Sequence, residues 1–214
     1  PRGLDEIILL QLKYSRSFLN FTIHFHPFST DRSTLLFQDE ALTVETIPLY
    51  HKLPCCGFLF REKPKPRKLN KEKLQPGILL QHLATLKSGA DVVDDQGRVL
   101  YSLHEYTLEA TPTYSYAYCS DTGWNESMIE QLRHVDLMYH EATFMNEERD
   151  KAWETKHSTA ADAARMAQRC QAGKLLIGHF SARYRDLEPL LQEARAIFAN
   201  TVLAIEGNTF ELPV

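Results

Sequence analysis

No apolar run in this 214-residue chain approaches the ~18 residues that a membrane-spanning helix needs, so no membrane span is expected. There is no CxxC pair either. The four cysteines are Cys55, Cys56, Cys119 and Cys170, two of them adjacent. That usage argues against a disulfide framework and points to reduced thiols in a cytoplasmic protein. Positive charge is not in excess: 24 Lys and Arg against 28 Asp and Glu leave a net −4. A polycation that coats nucleic acid is excluded, and an anionic partner would need a local basic patch. The opening residues, PRGLDEIILLQLKY, lack a basic region followed by an apolar one and a small-residue cleavage site, so no secretory signal is read there. They also lack an initiator Met and start inside a helical pattern, which points to a fragment whose N-terminal part lies upstream. No internal repeat is visible.

What is present is ordinary for a globular chain: 43% hydrophobic and 24% charged residues. The length suits one domain with an appendage. Apolar spacing predicts a helix over 4–18. Alternation in NFTIHFH predicts a half-buried strand over 20–26, with Phe21, Ile23 and Phe25 on one face and His24 and His26 on the other. LTVETIPLYH reads as a strand ending at His51, and CGFLFRE as a short strand. Between 61 and 73 the chain carries seven cations against two Glu, interrupted by prolines. These are Arg61, Lys63, Lys65, Arg67, Lys68, Lys71 and Lys73, and the stretch 61–77 reads as an exposed arm or linker. Residues 78–110 give no assignment beyond a turn at DDQG. From 114 onward strand and helix alternate, with strands at 114–121, 135–142 and 174–180, helices at 125–134, 158–173 and 187–198, and a last strand or two in TVLAIEGNTFEL. That alternation predicts an α/β fold.

In α/β layers reactive side chains gather at the carboxyl ends of strands. Asp121 in CSDT, His140 and Glu141 in YHEAT, His179 in GHFSARY and His51 in PLYHKLP all fall at such ends, and His157 opens the Ala-rich helix. Taken singly, each has a plain structural role. A strand-end His is more often structural than a ligand, Asp121 in SDTG suits a turn, and His140 suits internal hydrogen bonds. Taken together, His and Asp on one edge suit a divalent metal such as zinc, and a bridging carboxylate can hold two ions.

SDT, then HEATF, then KHSTA followed by DAA, then GHFSARY, in this order and spacing, resemble ribonuclease Z, the family of transfer-RNA 3′-end endonucleases; HKLPCCGFLFREK resembles a further family segment. The resemblance covers roughly 45–73 and 114–184. It implies an α/β metallo-β-lactamase αββα sandwich of which 1–214 is one incomplete domain lacking the N-terminal part, with 61–77 as an inserted basic arm that grips transfer RNA. It implies zinc, two ions per complete chain, with His51, Asp121 and His179 as ligands and Asp121 bridging. His157 would be a catalytic non-ligand at the scissile phosphate. His140 and Glu141 would support the site, and Arg183 and Tyr184 would lie in the following loop. The implied partners are precursor transfer RNA and a second copy in a homodimer, with no DNA expected.

The family's His-x-His-x-Asp-His motif is not in the chain. The nearest string is TIHFHPFST, where Phe28 and Ser29 fall at the Asp and second His positions. Three of seven expected ligands are therefore present, and a chain of this extent by itself is expected to be inactive. The arm also departs from the pattern, with Arg67 where the family has Gly. Two alternatives stay open: another phosphodiesterase of the superfamily, and a truncated, inactive RNA-binding or interaction module.

Overall fold

The computed structural model describes residues 3–212. Eleven strands and six α-helices are seen among them. In chain order they are α1 Leu4–Tyr14, β1 Leu35–Gln38, β2 Leu42–Pro48, β3 Cys56–Glu62, β4 Lys68–Leu69, α2 Leu80–Ser88, β5 Val92–Val93, β6 Val99–Tyr101, α3 Leu103–Tyr106, β7 Thr107–Leu108, β8 Ser115–Cys119, β9 Leu137–Glu141, α4 Arg149–Thr155, α5 Ala160–Cys170, β10 Lys174–Gly178, α6 Glu188–Arg195 and β11 Thr201–Leu203. They fall into two compact units. One runs to Asp39, resumes over Thr43–Arg61 and continues from Ser115; the other comprises Glu40–Leu42 and Glu62–Tyr114.

The first unit is built on a seven-stranded sheet in the order β1-β2-β3-β8-β9-β10-β11. β3 and β8 are antiparallel, whereas β8, β9, β10 and β11 are mutually parallel, so their carboxyl ends share one edge. The period of two sorts the side chains. Leu59, Ala117, Cys119, Met138, Leu175 and Ile177 face a buried cluster closed by α5 and α6. Phe58, Phe60, Tyr116, Tyr118 and Tyr139 line the other face, where Tyr118 stacks on Tyr139 at 4.8 Å. In an αββα sandwich this aromatic face is the one turned toward the second sheet.

Helix α5 shows why the sequence folds this way. Thr159 caps it, Asp162 closes a capping box, and seven of its eleven residues are buried, mostly alanines small enough to bring the helix close to the sheet. The helix ends at Gln171 in the left-handed region, not at Gly173. Gly173 instead makes room for the backbone, since a Cβ there would lie 2.6 Å from the Asp136 carbonyl oxygen.

Several expectations are corrected. Residues 20–26 form no strand: Ile23 and Phe25 are half-buried and His24 and His26 exposed, but no strand among the described residues pairs with them. The first helix stops at Tyr14, where Arg16 turns left-handed at φ 52, and it buries none of its residues. Residues 125–134 make a 3-10 turn over Glu126–Met128 followed by further tight turns. Met128, Leu132 and Val135 are still buried at helical spacing, so the burial pattern was right and the hydrogen-bond type was not.

The second unit has its own small core of Leu86, Val92 and Tyr106, with Leu69, Leu74, Ile78 and Tyr101 packed against it. It is wider than the stretch 61–77. Leu69 in β4 pairs with Thr107 in β7, so part of the basic stretch is ordered sheet.

Candidate metal centre

The carboxyl edge of the parallel strands gathers most of the candidate residues. Asp121 lies just beyond β8, Glu141 ends β9, and His179 follows β10 with a left-handed backbone at φ 59. Loops from elsewhere are pinned to this edge by hydrogen bonds. The Tyr50 amide donates to Thr122 Oγ1 at 3.0 Å and the Gly123 amide to the Tyr50 carbonyl at 2.9 Å, which fixes the loop carrying His51. The Phe144 amide donates to the Ser158 carbonyl and Ser158 Oγ to the Thr122 carbonyl, which fixes His157.

Asp121, His157 and His179 each offer a ligand atom, and these atoms lie within 4.8 Å of one another. His179 Nε2 is 3.1 Å from Asp121 Oδ1. The His157 ring stacks on His179 at 5.4 Å between centroids, and the His51 ring stands tilted at 4.9 Å from His157. The side chains of Asp121 and His179 are 39% and 42% exposed, so the cluster opens to solvent, while Glu141 beneath it is fully buried.

The hydrogen bonds fix which nitrogen of each imidazole is free. His51 Nδ1 donates to the Lys156 carbonyl at 3.0 Å. His157 Nδ1 donates to Glu141 Oε1 at 2.6 Å. The Thr143 hydroxyl has the Glu141 carboxylate as its nearest acceptor at 2.7 Å, so at 2.8 Å from His179 Nδ1 it is the acceptor. Each ring therefore has its Nδ1 engaged by the protein, so Nε2 is the nitrogen it presents to the site, and that of His179 faces Asp121. That is the arrangement metal-binding imidazoles adopt. Imidazole nitrogens beside a carboxylate are a donor set that fits a divalent ion, and Asp121, His157 and His179 meet closely enough to offer one.

Glu141 organises this edge. Its carboxylate accepts five hydrogen bonds, from the amides of Thr122, Thr143 and Ser158, the Thr143 hydroxyl and His157. Burial alone would raise its pKa; the bonds from His157 and Thr143 outweigh burial and hold it below the usual carboxylate range. The same bond raises His157 above the ordinary histidine value, against the opposing effect of desolvation. Asp121 is also lowered, because His179 and the surrounding donors outweigh its partial burial. His140 is buried, donates from Nδ1 to the Glu141 carbonyl at 2.7 Å, and is pushed down by desolvation.

The structure thus brings Asp121, His157, His179, His51 and Glu141 to one place and sets His140 beneath them. Arg183 pairs with Glu148 at 3.0 Å, and the Tyr184 oxygen accepts the Met145 amide. The sequence reading gave no role to Thr143, the residue that joins Glu141 to His179. Its signal was the threonine or serine inside each of SDT, HEAT and HST, a small hydroxyl wherever a strand end meets the site. In the basic stretch, Arg61 donates to the Gln131 carbonyl, Lys65 pairs with Glu62 at 2.8 Å, and Arg67 grips both oxygens of Glu109 and Thr107 Oγ1. Lys68, Lys71 and Lys73 are exposed, and with Lys63 they make no ion pair among the described residues.

The chain is 48% identical over 210 residues to ribonuclease Z of Cytophaga hutchinsonii, covering 98% of this chain and 67% of that protein. The chain belongs to the ribonuclease Z family. Ribonuclease Z of Bacteroides thetaiotaomicron is 43% identical over 97% of the chain, and that of Porphyromonas gingivalis 38% over 99%. The chain spans about two thirds of the length of the ribonuclease Z proteins it matches. No family model matches it. Among solved structures, human tRNase Z, short form, superposes with a TM-score of 0.63 at 21% identity, covering 100% of this chain and 65% of that one. The metallo-β-lactamase fold protein YhfI of Bacillus subtilis superposes at 0.57 with 16% identity, over 98% of this chain and 62% of that one. The fold expected of a ribonuclease Z chain, the metallo-β-lactamase fold, is the one found.

Proposed function

We propose that the protein is a zinc-dependent endoribonuclease that removes the 3′ trailer from precursor transfer RNA by hydrolysing one phosphodiester and leaving a 3′-hydroxyl. One observation carries this reading. Asp121, His157 and His179 of a ribonuclease Z chain each offer a ligand atom within 4.8 Å of the others. Asp121, His179 and His51 are the residues that would hold zinc, and Asp121, with two oxygens, is suited to bridging a second ion. Zinc bound there supplies a Lewis acid for the phosphate oxygens.

The remaining roles belong to the chain itself. His179 takes the neutral Thr143 hydroxyl at its Nδ1 and turns its Nε2 to Asp121, so both present ligand atoms at one point. His157 is backed by the buried Glu141 carboxylate, which favours the imidazolium. That pairing suits His157 to hand a proton to the leaving 3′-oxygen rather than to bind metal. Lys63, Lys68, Lys71 and Lys73 would take phosphates of the RNA without reading bases. Two ions need more ligands than this chain brings together, and the relatives are longer by about a third of their own length. The reading includes a homodimer, as the family resemblance implies, and a cytoplasmic location, as the absence of a disulfide framework in the sequence suggests.

Chelation of the full-length protein should abolish cleavage of a precursor transfer RNA, and added zinc should restore it. Cleavage that persists in metal-free protein, or a product ending in a cyclic phosphate, overturns the reading.

A further inference from the structure

A cavity of about 240 Å³ adjoins the centre and shares His157 as a wall. Its other walls come from α4, α5 and the loop before His51. Arg149 and Trp153 are four residues apart on α4 and so lie on one face of that helix. Trp153 is 72% exposed, although the neighbouring Ala152 is buried. Lys156 closes the helix in the left-handed region at φ 58, and its Nζ stands 4.5 Å over the Tyr50 ring. Arg165 is paired with Asp162, which already caps α5. Arg149 and Lys156 make no ion pair among the described residues. The cavity thus presents three cations against one carboxylate, together with the rings of Tyr50, Trp124 and Trp153.

We propose that this cavity binds one unpaired nucleotide of the RNA next to the cleaved phosphodiester, its base against Trp153 and its phosphate on Arg149. The chemistry selects the ligand. Net positive charge asks for an anion, and exposed aromatic rings ask for a flat apolar group; a nucleotide supplies both. The volume lies below the ~300–1,000 Å³ of pockets for drug-sized ligands, which suits a single base. Lys156 couples the two sites: its carbonyl orients His51 while its ammonium covers the cavity's Tyr50. The proposal rests on the ribonuclease reading for its ligand.

The test is quenching of tryptophan emission by a single-stranded RNA trinucleotide, with the same trinucleotide lacking its central base and inorganic phosphate as comparisons. Saturable quenching is expected, with affinity reduced about ten-fold for the abasic form, the scale of one lost base stack. Trp153→Ala, read through Trp124 in the same cavity, and Arg149→Ala should each weaken binding about ten-fold, whereas Lys87→Ala should not. Equal affinity for the abasic form, or unchanged affinity in both variants, overturns the proposal. The two readings fail separately. RNA quenching without zinc-dependent cleavage would sink the reaction and spare the cavity. Wild-type kcat/KM for precursor transfer RNA in both Trp153→Ala and Arg149→Ala would sink the cavity and spare the reaction.

Discussion

Two groups of charged side chains stand out in this molecule, and the fold treats them oppositely. At the carboxyl edge of the sheet, Glu141 is fully buried and its charge is met from five directions. In the basic stretch, Arg61, Lys65 and Arg67 are engaged by neighbours, while Lys68, Lys71 and Lys73 face solvent. An interior charge positions other groups and cannot be removed cheaply. A surface charge costs the fold almost nothing and stays available to a partner. Charge counted along the sequence does not separate the two; burial and hydrogen bonding do.

The largest effect should come from Glu141→Ala. It leaves His157, the Thr143 hydroxyl and three amides without their acceptor, at a cost of about 3–5 kcal/mol in urea unfolding. A cost like that of a surface lysine would erase the contrast. Next, Ala164→Leu in the fully buried face of α5 should overpack the helix against the sheet and lose about 1–3 kcal/mol by the same measurement. Asp162→Ala removes half of the capping box and should cost about 1 kcal/mol. Smallest for the fold is Lys71→Ala with Lys73→Ala, which should stay within about 0.5 kcal/mol of the parent. The same pair should flatten the salt dependence of transfer-RNA binding by about one unit of slope per lost phosphate contact. An unchanged slope would remove these two lysines from the RNA surface.

The same distinction explains what the sequence made legible. The alternation after residue 114 and the polar strand ends were readable because buried, hydrogen-bonded positions tolerate few residue types, so SDT, HEATF, HST and GHF carry their own context. TIHFHPFST was misleading for the opposite reason: alternation makes a strand only where another strand pairs with it, and none among the described residues does. The helix pattern of 125–134 failed because apolar spacing fixes what is buried but not whether the turns are α or 3-10. Helix α4 went unread because it is short and its largest apolar residue, Trp153, points to solvent. Residues 78–110 belong to a unit whose core is three buried residues, too few to impose a clear period. Thr143 is not legible in the sequence, since its hydroxyl's role depends on Glu141 and His179, which only the fold brings to it.

The central claim is that Asp121 belongs to the metal and His157 to the proton. Zinc per chain, measured by atomic emission after exhaustive dialysis of the full-length protein, tests it most directly. Asp121→Ala should lose both zinc and cleavage, and His157→Ala should keep its zinc while cleaving far more slowly. Loss of zinc from His157→Ala, or its retention in Asp121→Ala, would contradict the assignment.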